Sequence, residues 1–392
     1  MADIPLGPWL TGMDNVSPDA SRDPGTPVDA VNVIFDKTGG AARRRGFSLL
    51  NAGPGWHSLW TSPKGRTFCV HLDQLCSVTF NGAMTATPLY TLAAKTPLSY
   101  TEINGDVICT NPSEILRIDL DNVVSRLGMA RPAPPAVSVV DYGGLDAGRY
   151  AVAISPMRWD EEGPLSYAAF VDVPQNGGIR VTVPGVEAGY RIYRTQANGE
   201  QLHAVSGATP GATHSLGAQP IGRAADSIYL ESLPPGSIVR HWRGLALVAR
   251  GRIIFWSEPM RYGLYDPRHN FVQMAHTVTL MEPVEGGVYV GDRDGVKFLA
   301  GPSPKEWAVK AKSGVTPVAG TGTTIQGSIL GGDLATDERV AVWLSEKGFM
   351  VGTASGQIAE VQAKRIRLPD EQVEAGVGAV VVHDRQIIAS IN

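Results

Sequence analysis

Five carboxylates are the residues best suited to chemistry: Asp119 and Asp121, then Asp160, Glu161 and Glu162. A glycoside hydrolase works with two such groups across one sugar bond, one as acid and the other as base or nucleophile. Spacing along the chain does not say how far apart the five stand, and Asp160-Glu161-Glu162 falls in a loop. The eight histidines, His57, His71, His203, His214, His241, His269, His276 and His383, are scattered. No two sit at a metal-ligand spacing, so they read as surface or satisfied core residues. Asp292-Arg293-Asp294-Gly295 begins like a calcium loop but lacks the closing glutamate, and it reads better as a β-turn. Gly320-Thr321-Gly322-Thr323-Thr324 is glycine-rich without the lysine and helix of a phosphate cradle. GxxxxGK[ST], HExxH, GxSxG and a strand-following GxGxxG are all missing from the sequence. The expectation is a protein without catalysis, cofactor or metal, with a carbohydrate-cleaving or carbohydrate-binding propeller as the alternative.

Cys69, Cys76 and Cys109 are the only cysteines, and no CxxC occurs, which argues against zinc. They read as small buried hydrophobes in a reduced compartment. Cys69 and Cys76 could pair across a hairpin, but nothing in the sequence requires it. Over 392 residues the net charge is -4, and only 18% of residues are charged. That leaves no basic footprint for sequence-specific nucleic-acid binding. It suits a chain that buries surface against partners, because interface cores are depleted of charge. Met1-Ala2-Asp3-Ile4-Pro5 lacks the basic start and apolar run of a secretory signal. No apolar segment approaches the ~20 residues that span a bilayer. A soluble chain made in a cytoplasm is the expectation.

The elements that would position these groups are short strands. Leu245-Ala246-Leu247-Val248, Ile253-Ile254-Phe255-Trp256, Val288-Tyr289-Val290 and Val296-Lys297-Phe298-Leu299 are apolar, rich in β-branched and aromatic residues, and bounded by Gly, Pro, Asp or Asn. Runs that return after tight turns make antiparallel meanders, and repeated meanders point to a propeller. Residues 1–30 carry Pro5, Pro8, Pro18, Pro24 and Pro27 and read as an extended arm, with Trp9, Leu10, Met13 and Val16 as candidate subunit contacts. Residues 31–131 form the first part of the propeller, where Asn104-Gly105 marks the clearest hairpin. Arg43-Arg44-Arg45 would alternate between strand faces and so make no single patch. Arg131-Pro132-Ala133-Pro134-Pro135 is a stiff linker. Residues 132–236 carry longer strands at regular spacing and read as an inserted β-sandwich of the immunoglobulin or fibronectin-III type. Within it, Tyr190-Arg191-Ile192-Tyr193-Arg194 predicts one apolar and one polar face. Residues 237–392 return to the blade pattern. The expected fold is all-β, a β-propeller of about six blades, with the hairpins at 31–47 and 377–391 jointly closing the last one.

Several stretches resemble one known group of proteins. They are Trp256-Ser257-Glu258-Pro259, Tyr265-Asp266-Pro267-Arg268-His269-Asn270, Tyr289-Val290-Gly291 and Ala341-Val342-Trp343-Leu344-Ser345-Glu346-Lys347-Gly348. The start adds Gly12-Met13-Asp14-Asn15-Val16-Ser17-Pro18, Ala30-Val31-Asn32-Val33, Gly39-Gly40 and Arg44-Arg45-Gly46-Phe47. Together they resemble the propeller proteins of bacteriophage tails, the nozzle or packaged-DNA-stabilising proteins of short-tailed phages and relatives. The resemblance covers most of the chain outside the insert, and its motifs are structural. It implies a virion component in the tail, assembled in the bacterial cytoplasm. Such a component forms a homo-oligomeric ring, often a hexamer, at the end of the DNA conduit. Its partners would be adaptor, fibre or spike proteins and passing genomic DNA. A closed ring needs a head-to-tail contact, and a conduit must not grip phosphate, since each neutralised phosphate adds affinity.

Overall fold

The computed structural model describes residues 12–23, 25–35, 38–44, 46, 49, 53–158, 161–185, 189–330, 334–362, 364–374, 377–383 and 386–391. Trp9 and Leu10 of the expected arm, Arg45 and Asp160 lie outside these residues. The chain is all-β and of the β-propeller class, and its repeating element is a four-stranded antiparallel meander. It divides into two compact units, residues 1–98, 249–253 and 273–392 in one and residues 99–248 and 254–272 in the other.

In chain order, β1 (Val33–Phe35) and β2 (Ala41–Arg43) pair as a hairpin. The first blade sheet is β3 (Trp56–Thr61), β4 (Thr67–His71), β5 (Gln74–Phe80) and β6 (Met84–Thr91). The second is β7 (Ser99–Ile103), β8 (Asp106–Asn111), β9 (Glu114–Ile118) and β10 (Val124–Arg126). Its first turn behaves as expected: Ile103 pairs with Asp106, while Asn104 and Gly105 take φ of 54° and 95°, the left-handed values that a two-residue hairpin turn requires.

The insert follows. Its strands are β11 (Ala136–Leu145), β12 (Gly148–Arg158), β13 (Glu161–Glu162), β14 (Ala169–Val173), β15 (Gly177–Thr182), β16 (Gly189–Arg194), β17 (His203–Ala208) and β18 (Thr213–Leu216). One sheet runs β11-β15-β18, and the other runs β14-β12-β16-β17 with β13 at the far end of β12. Leu145, Ile179, Val181 and Leu216 from the first sheet share a core with Tyr150, Val152, Ile154 and Ile192 from the second, so the insert is a two-sheet sandwich. β12 pairs with β14 and β16, while β11 pairs with β15. Asp146 and Ala147 alone connect β11 to β12, and they carry the chain across from one sheet to the other, so the first two strands cannot be ladder neighbours.

The face assignment on β16 also needs correction. Tyr190 and Ile192 enter the main core, but the next residue on that face is Arg194, buried with its guanidinium 5.5 Å from the Tyr150 ring centre. The opposite face is not simply polar, because Tyr193 packs there with Ala153, Leu165 and Leu202.

After β19 (Glu231–Ser232) come β20 (Ile238–Trp242), β21 (Leu245–Arg250), β22 (Ile253–Trp256), β23 (Leu264–Tyr265) and β24 (Phe271–Gln273). Strands β20-β21-β22-β24 form the third blade sheet, and β19 pairs with β23. The fourth is β25 (Leu280–Val284), β26 (Gly287–Asp292), β27 (Gly295–Ala300) and β28 (Ala308–Ser313). The fifth is β29 (Thr323–Gln326), β30 (Arg339–Ser345), β31 (Gly348–Gly352) and β32 (Ile358–Glu360). A short helix α1 (Asp370–Glu374) precedes the hairpin of β33 (Gly378–His383) and β34 (Gln386–Ile391).

The described residues thus hold five four-stranded meanders and a hairpin near each end. The two hairpins do not merge into one closing sheet: β1–β2 and β33–β34 are separate two-stranded sheets. Val377, just before β33, instead makes a parallel bridge to Ala319, and Gly378 donates its N–H to the Ala319 carbonyl at 2.8 Å. Ala389 and Ile391 pack with Val318, Leu344 and Val373, so the last hairpin leans on the fifth blade. The segment before β1 is tied to the same region. Asn15 donates its backbone N–H to Arg365 O (2.9 Å) and its Nδ2 to Arg367 O (3.0 Å), and accepts the Arg367 N–H on Oδ1 (2.9 Å). Met13 is half-buried and Val16 exposed.

Middle strands are apolar and buried along their length, as in β21, β26 and β30, whereas the fourth strand Ala308–Ser313 carries lysines and is largely exposed. The fourth and fifth blades share one core. The Tyr289 ring centre lies 4.7 Å from Phe298 and 5.5 Å from the fully buried Trp343. Gly352 allows this approach, since a Cβ there would stand 2.5 Å from the Tyr289 ring. The Tyr289 hydroxyl lies 2.8 Å from both Thr353 O and Gln357 O, and burial pushes the phenol well above its usual pKa. Trp343→Ala is expected to cost about 3–5 kcal/mol, since it empties the centre of this core. A lowered guanidinium midpoint of the full chain, with Trp343→Phe falling between wild type and Trp343→Ala, is the check.

Candidate functional site

The chain's best-developed polar centre forms on the insert around Glu162. Glu161 and Glu162 are neighbours on β13, so their side chains take opposite faces. Glu161 is 51% exposed at its side chain and pairs with Arg117 at 2.8 Å; Glu162 is 5% exposed. Glu162 Oε2 accepts from Arg191 Nη1 (2.6 Å) and from Arg223 Nη2, and its Oε1 accepts from the Tyr193 hydroxyl (2.5 Å). Burial first, and the Glu162 carboxylate second, push the Tyr193 phenol up to about 12. Every oxygen of this carboxylate therefore faces a donor. A general acid or base needs a lone pair or proton directed at substrate, whereas Glu162 is buried with three of the chain's own donors on its two oxygens. The arrangement is an anchor for β16 and for the chain around Arg223. Arg223 also reaches Asp226 (3.6 Å), which meets Arg261 (3.4 Å).

Asp119 Oδ1 accepts the backbone N–H groups of Asp121 (2.9 Å) and Val123 (2.8 Å), an internally satisfied turn. The expected β-turn at Asp292–Gly295 is present: Asp292 pairs with Gly295, Asp292 Oδ1 accepts the Asp294 N–H (2.9 Å), and Lys297 Nζ meets Oδ2 (2.7 Å). His276 Nε2 lies 2.7 Å from Asp294. The glycine-rich run is a loop only over its first three residues, where Thr321 donates to Val318 O (2.7 Å) and accepts the Leu344 N–H (3.1 Å), while Thr323 and Thr324 open β29. Among the described residues no group of three His, Cys, Asp or Glu is gathered as a metal site. A cleft of about 440 Å³ by Glu346 and Glu360 also holds Lys312 and Lys347, and Lys347 pairs with Glu360 at 3.4 Å.

The residues around Trp256–Glu258 and Asp266–Asn270 fasten their own loops. Ser257, fully buried, accepts the Ala246 N–H on Oγ (3.0 Å) and donates to Glu258 O (3.0 Å). Asn270 donates Nδ2 to Glu258 Oε1 (2.7 Å) and its N–H to Asp266 O (2.8 Å), and Trp256 donates its N–H to Asn270 O (3.2 Å). Asp266 takes both Nε and Nη2 of Arg268 (3.0 and 2.8 Å) and the Arg268 N–H (3.0 Å). The Arg268 guanidinium lies 4.0 Å from the Tyr229 ring centre. The Arg268 side chain, followed by its backbone N–H, holds the Asp266 carboxyl down at about 2.

Sequence reasoning missed the Glu162 partners, because Arg191, Tyr193 and Arg223 lie 29 to 61 residues away with no spacing that announces them. It also missed Arg131. This linker residue donates to Leu165 O and Leu230 O (2.9 Å), and its guanidinium sits 5.1 Å from the Tyr167 ring centre. The only available signal was an arginine set immediately before a proline cluster.

No protein-family model and no curated protein matches the sequence. Solved structures similar in part are the Pan2 WD40 domain of Neurospora crassa (11% identity, TM-score 0.34, 84% of this chain and 85% of that one), a catalytically inactive virginiamycin B lyase of Staphylococcus aureus with quinupristin (11%, 0.34, 86% and 92%), and apo AztD of Citrobacter koseri (13%, 0.28, 86% and 89%). At such TM-scores these likenesses carry no argument about this chain, and its blades are established by their own strand pairings.

Glu162→Gln is expected to cost about 1.5–3 kcal/mol, the scale of hydrogen bonds to a charged group, while exposed Glu161→Gln changes stability by roughly 0.5 kcal/mol or less. Thermal unfolding of the two variants side by side checks the contrast. Asp266, depressed below the ordinary carboxylate value of 3.8, adds stability that is complete above that value and is lost as pH falls towards about 2. Asp266→Asn should therefore lose less stability than wild type over that interval, read from urea midpoints at each pH.

Proposed function

We propose that this chain is a structural component of a bacteriophage tail, a ring-forming nozzle or hub subunit without catalytic activity. The observation that carries this reading is the state of its motif residues. Ser257 Oγ bonds to the backbone on both sides, Glu258 accepts from Asn270 Nδ2, and Asp266 takes the side chain and N–H of Arg268. The candidate acid Glu162 is likewise enclosed by two arginines and a tyrosine. Residues that look chemical in the sequence are fasteners, as building material requires.

In this reading the ring closes by a heterologous contact between identical copies, with six copies as the working stoichiometry. Large apolar side chains at Val31, Leu59, Leu120 and Val123 are exposed and offer surface for such contacts. Adaptor, fibre or spike proteins flank the ring, and genomic DNA passes without sequence-specific binding. The location is the virion, after assembly in the host cytoplasm.

A second reading has one observation in its favour. Tyr167 and Phe170 on the insert are exposed, with the guanidinium groups of Arg131 and Arg149 at 5.1 and 4.7 Å from their ring centres. Exposed aromatic faces also suit sugar binding, which would make the insert a receptor-binding module.

Native mass spectrometry and electron microscopy of the full chain, alone and in purified particles, test the proposal. The expected result is a closed homo-oligomer on the tail axis and no hydrolysis of host surface glycans. A strictly monomeric chain at the tail periphery, or glycan binding abolished by Tyr167→Ala, overturns it in favour of the second reading.

A further inference from the structure

The first blade holds two thiols that face each other. His71 pairs with Gln74 around a two-residue turn at Leu72 and Asp73, and two steps back along the ladder Cys69 pairs with Cys76. Directly opposite residues of an antiparallel pair stand about 4.5–5.5 Å apart at Cα. That separation lies inside the roughly 4.4–6.8 Å that a disulfide spans. Opposite residues also project from the same face of the sheet, and the two cysteines pack in one cluster with Val78, Trp56 and Met84. Both are unlinked in this structure and both are buried. Cys109 differs. Its ladder partners are Tyr100 and Leu116, so no thiol stands opposite it.

We infer that Cys69 and Cys76 form a reversible dithiol–disulfide site that closes when the protein meets a small-molecule disulfide such as oxidised glutathione. In the first step one cysteine thiolate attacks a glutathione sulfur, the glutathione S–S bond breaks, and one glutathione thiolate leaves. In the second step the facing cysteine attacks the protein sulfur of the mixed disulfide, forms the Cys69–Cys76 bond and expels the second glutathione. Two electrons pass to the oxidant, and the two cysteine protons end on the two glutathione thiols. Geometry favours the second step, because the attacking sulfur is already on the opposite strand.

Access sets the rate of the first step. Burial, with the neighbouring thiol second, raises Cys69 to about 11, and burial raises Cys76 as well, so the reactive thiolate is scarce in the closed blade. The β5–β6 register breaks between Leu75 and Cys76, which places a ladder irregularity beside one of the two sulfurs. Local opening there exposes the pair without unfolding the rest. A chain made in a reducing compartment would carry the dithiol, and the same chain in an oxidising medium would carry the cross-strand link.

The test uses the full-length protein equilibrated in buffers that range from reduced to oxidised glutathione, then acid-quenched, unfolded and alkylated. In the oxidised buffers the mass is expected to fall by two hydrogens, with Cys109 the one thiol left to alkylate. Cleavage before Asp73 should leave two pieces that separate only after reduction. Cys76→Ser should trap one glutathione on Cys69, and Cys69→Ser one on Cys76. Three alkylated thiols in the most oxidised buffer, a wild-type protein that stops at a glutathione adduct, or a link to Cys109 or to a second chain would each overturn the inference.

Discussion

An all-β chain meets most of its backbone hydrogen-bonding needs across strands, so each short meander depends on having both faces covered. This constraint governs the blades. A four-stranded repeat with strands of three to eight residues cannot bury its apolar faces alone. Its middle strands must be apolar on both faces and must pack on a neighbouring sheet. β26 and β30 meet that condition against each other, with Tyr289 and Trp343 at the contact and Gly352 leaving room for the ring. The fourth strands carry no such burden, which is why Ala308–Ser313 can hold two lysines and remain solvated.

The insert meets the same constraint differently. Its two sheets face each other directly, and the core is filled by alternate residues from both. Attachment to the second blade is polar. Arg117 on β9 binds Asp106 (2.7 Å) and Glu161, and Arg158 on β12 donates to Arg126 O (2.7 Å). Arg131, in the joint itself, clamps two carbonyls. Arginine suits this work because its planar fork serves several acceptors from one fixed position. The proline-rich joint, stiff by its composition, is thus also held by guanidinium bonds to Leu165 O and Leu230 O.

Much of the blade construction was legible because it depends on local signals. Asn104-Gly105 forces a left-handed turn wherever it occurs, and Asp292-Arg293-Asp294-Gly295 caps its own turn through the first aspartate. Period-two and fully apolar runs located β8, β21, β26 and β30. Strand partnership in the insert was not legible. Whether β12 meets β11 or β14 depends on where a two-residue connection sends the chain, and Asp146-Ala147 carries no mark of that choice. The same holds for the ends: nothing local in residues 31–47 or 377–391 says whether the hairpins share a sheet, and a single bridge at Ala319 takes up the second one. For the polar centre, Glu162 was visible as a carboxylate. Its role was set by Arg191, Tyr193 and Arg223, which only the folded sandwich brings together.

That last case bears on how polar residues in such a chain should be understood. A carboxylate or amide buried without partners loses several kcal/mol of solvation, so a fold that buries one must surround it with donors. Two arginines and a phenol around Glu162, Asn270 beside Glu258, or Arg268 around Asp266, are what that requirement produces. Catalysis needs the opposite condition, a polar group held in place with part of its hydrogen-bonding capacity left for substrate. The two conditions give the same residue types in the sequence and differ only in how many partners the group already has. In Glu162, Ser257 and Asp266 those partners come from the chain itself. The physical distinction between fastener and catalyst is therefore one of satisfied valence, and on that criterion these residues fasten.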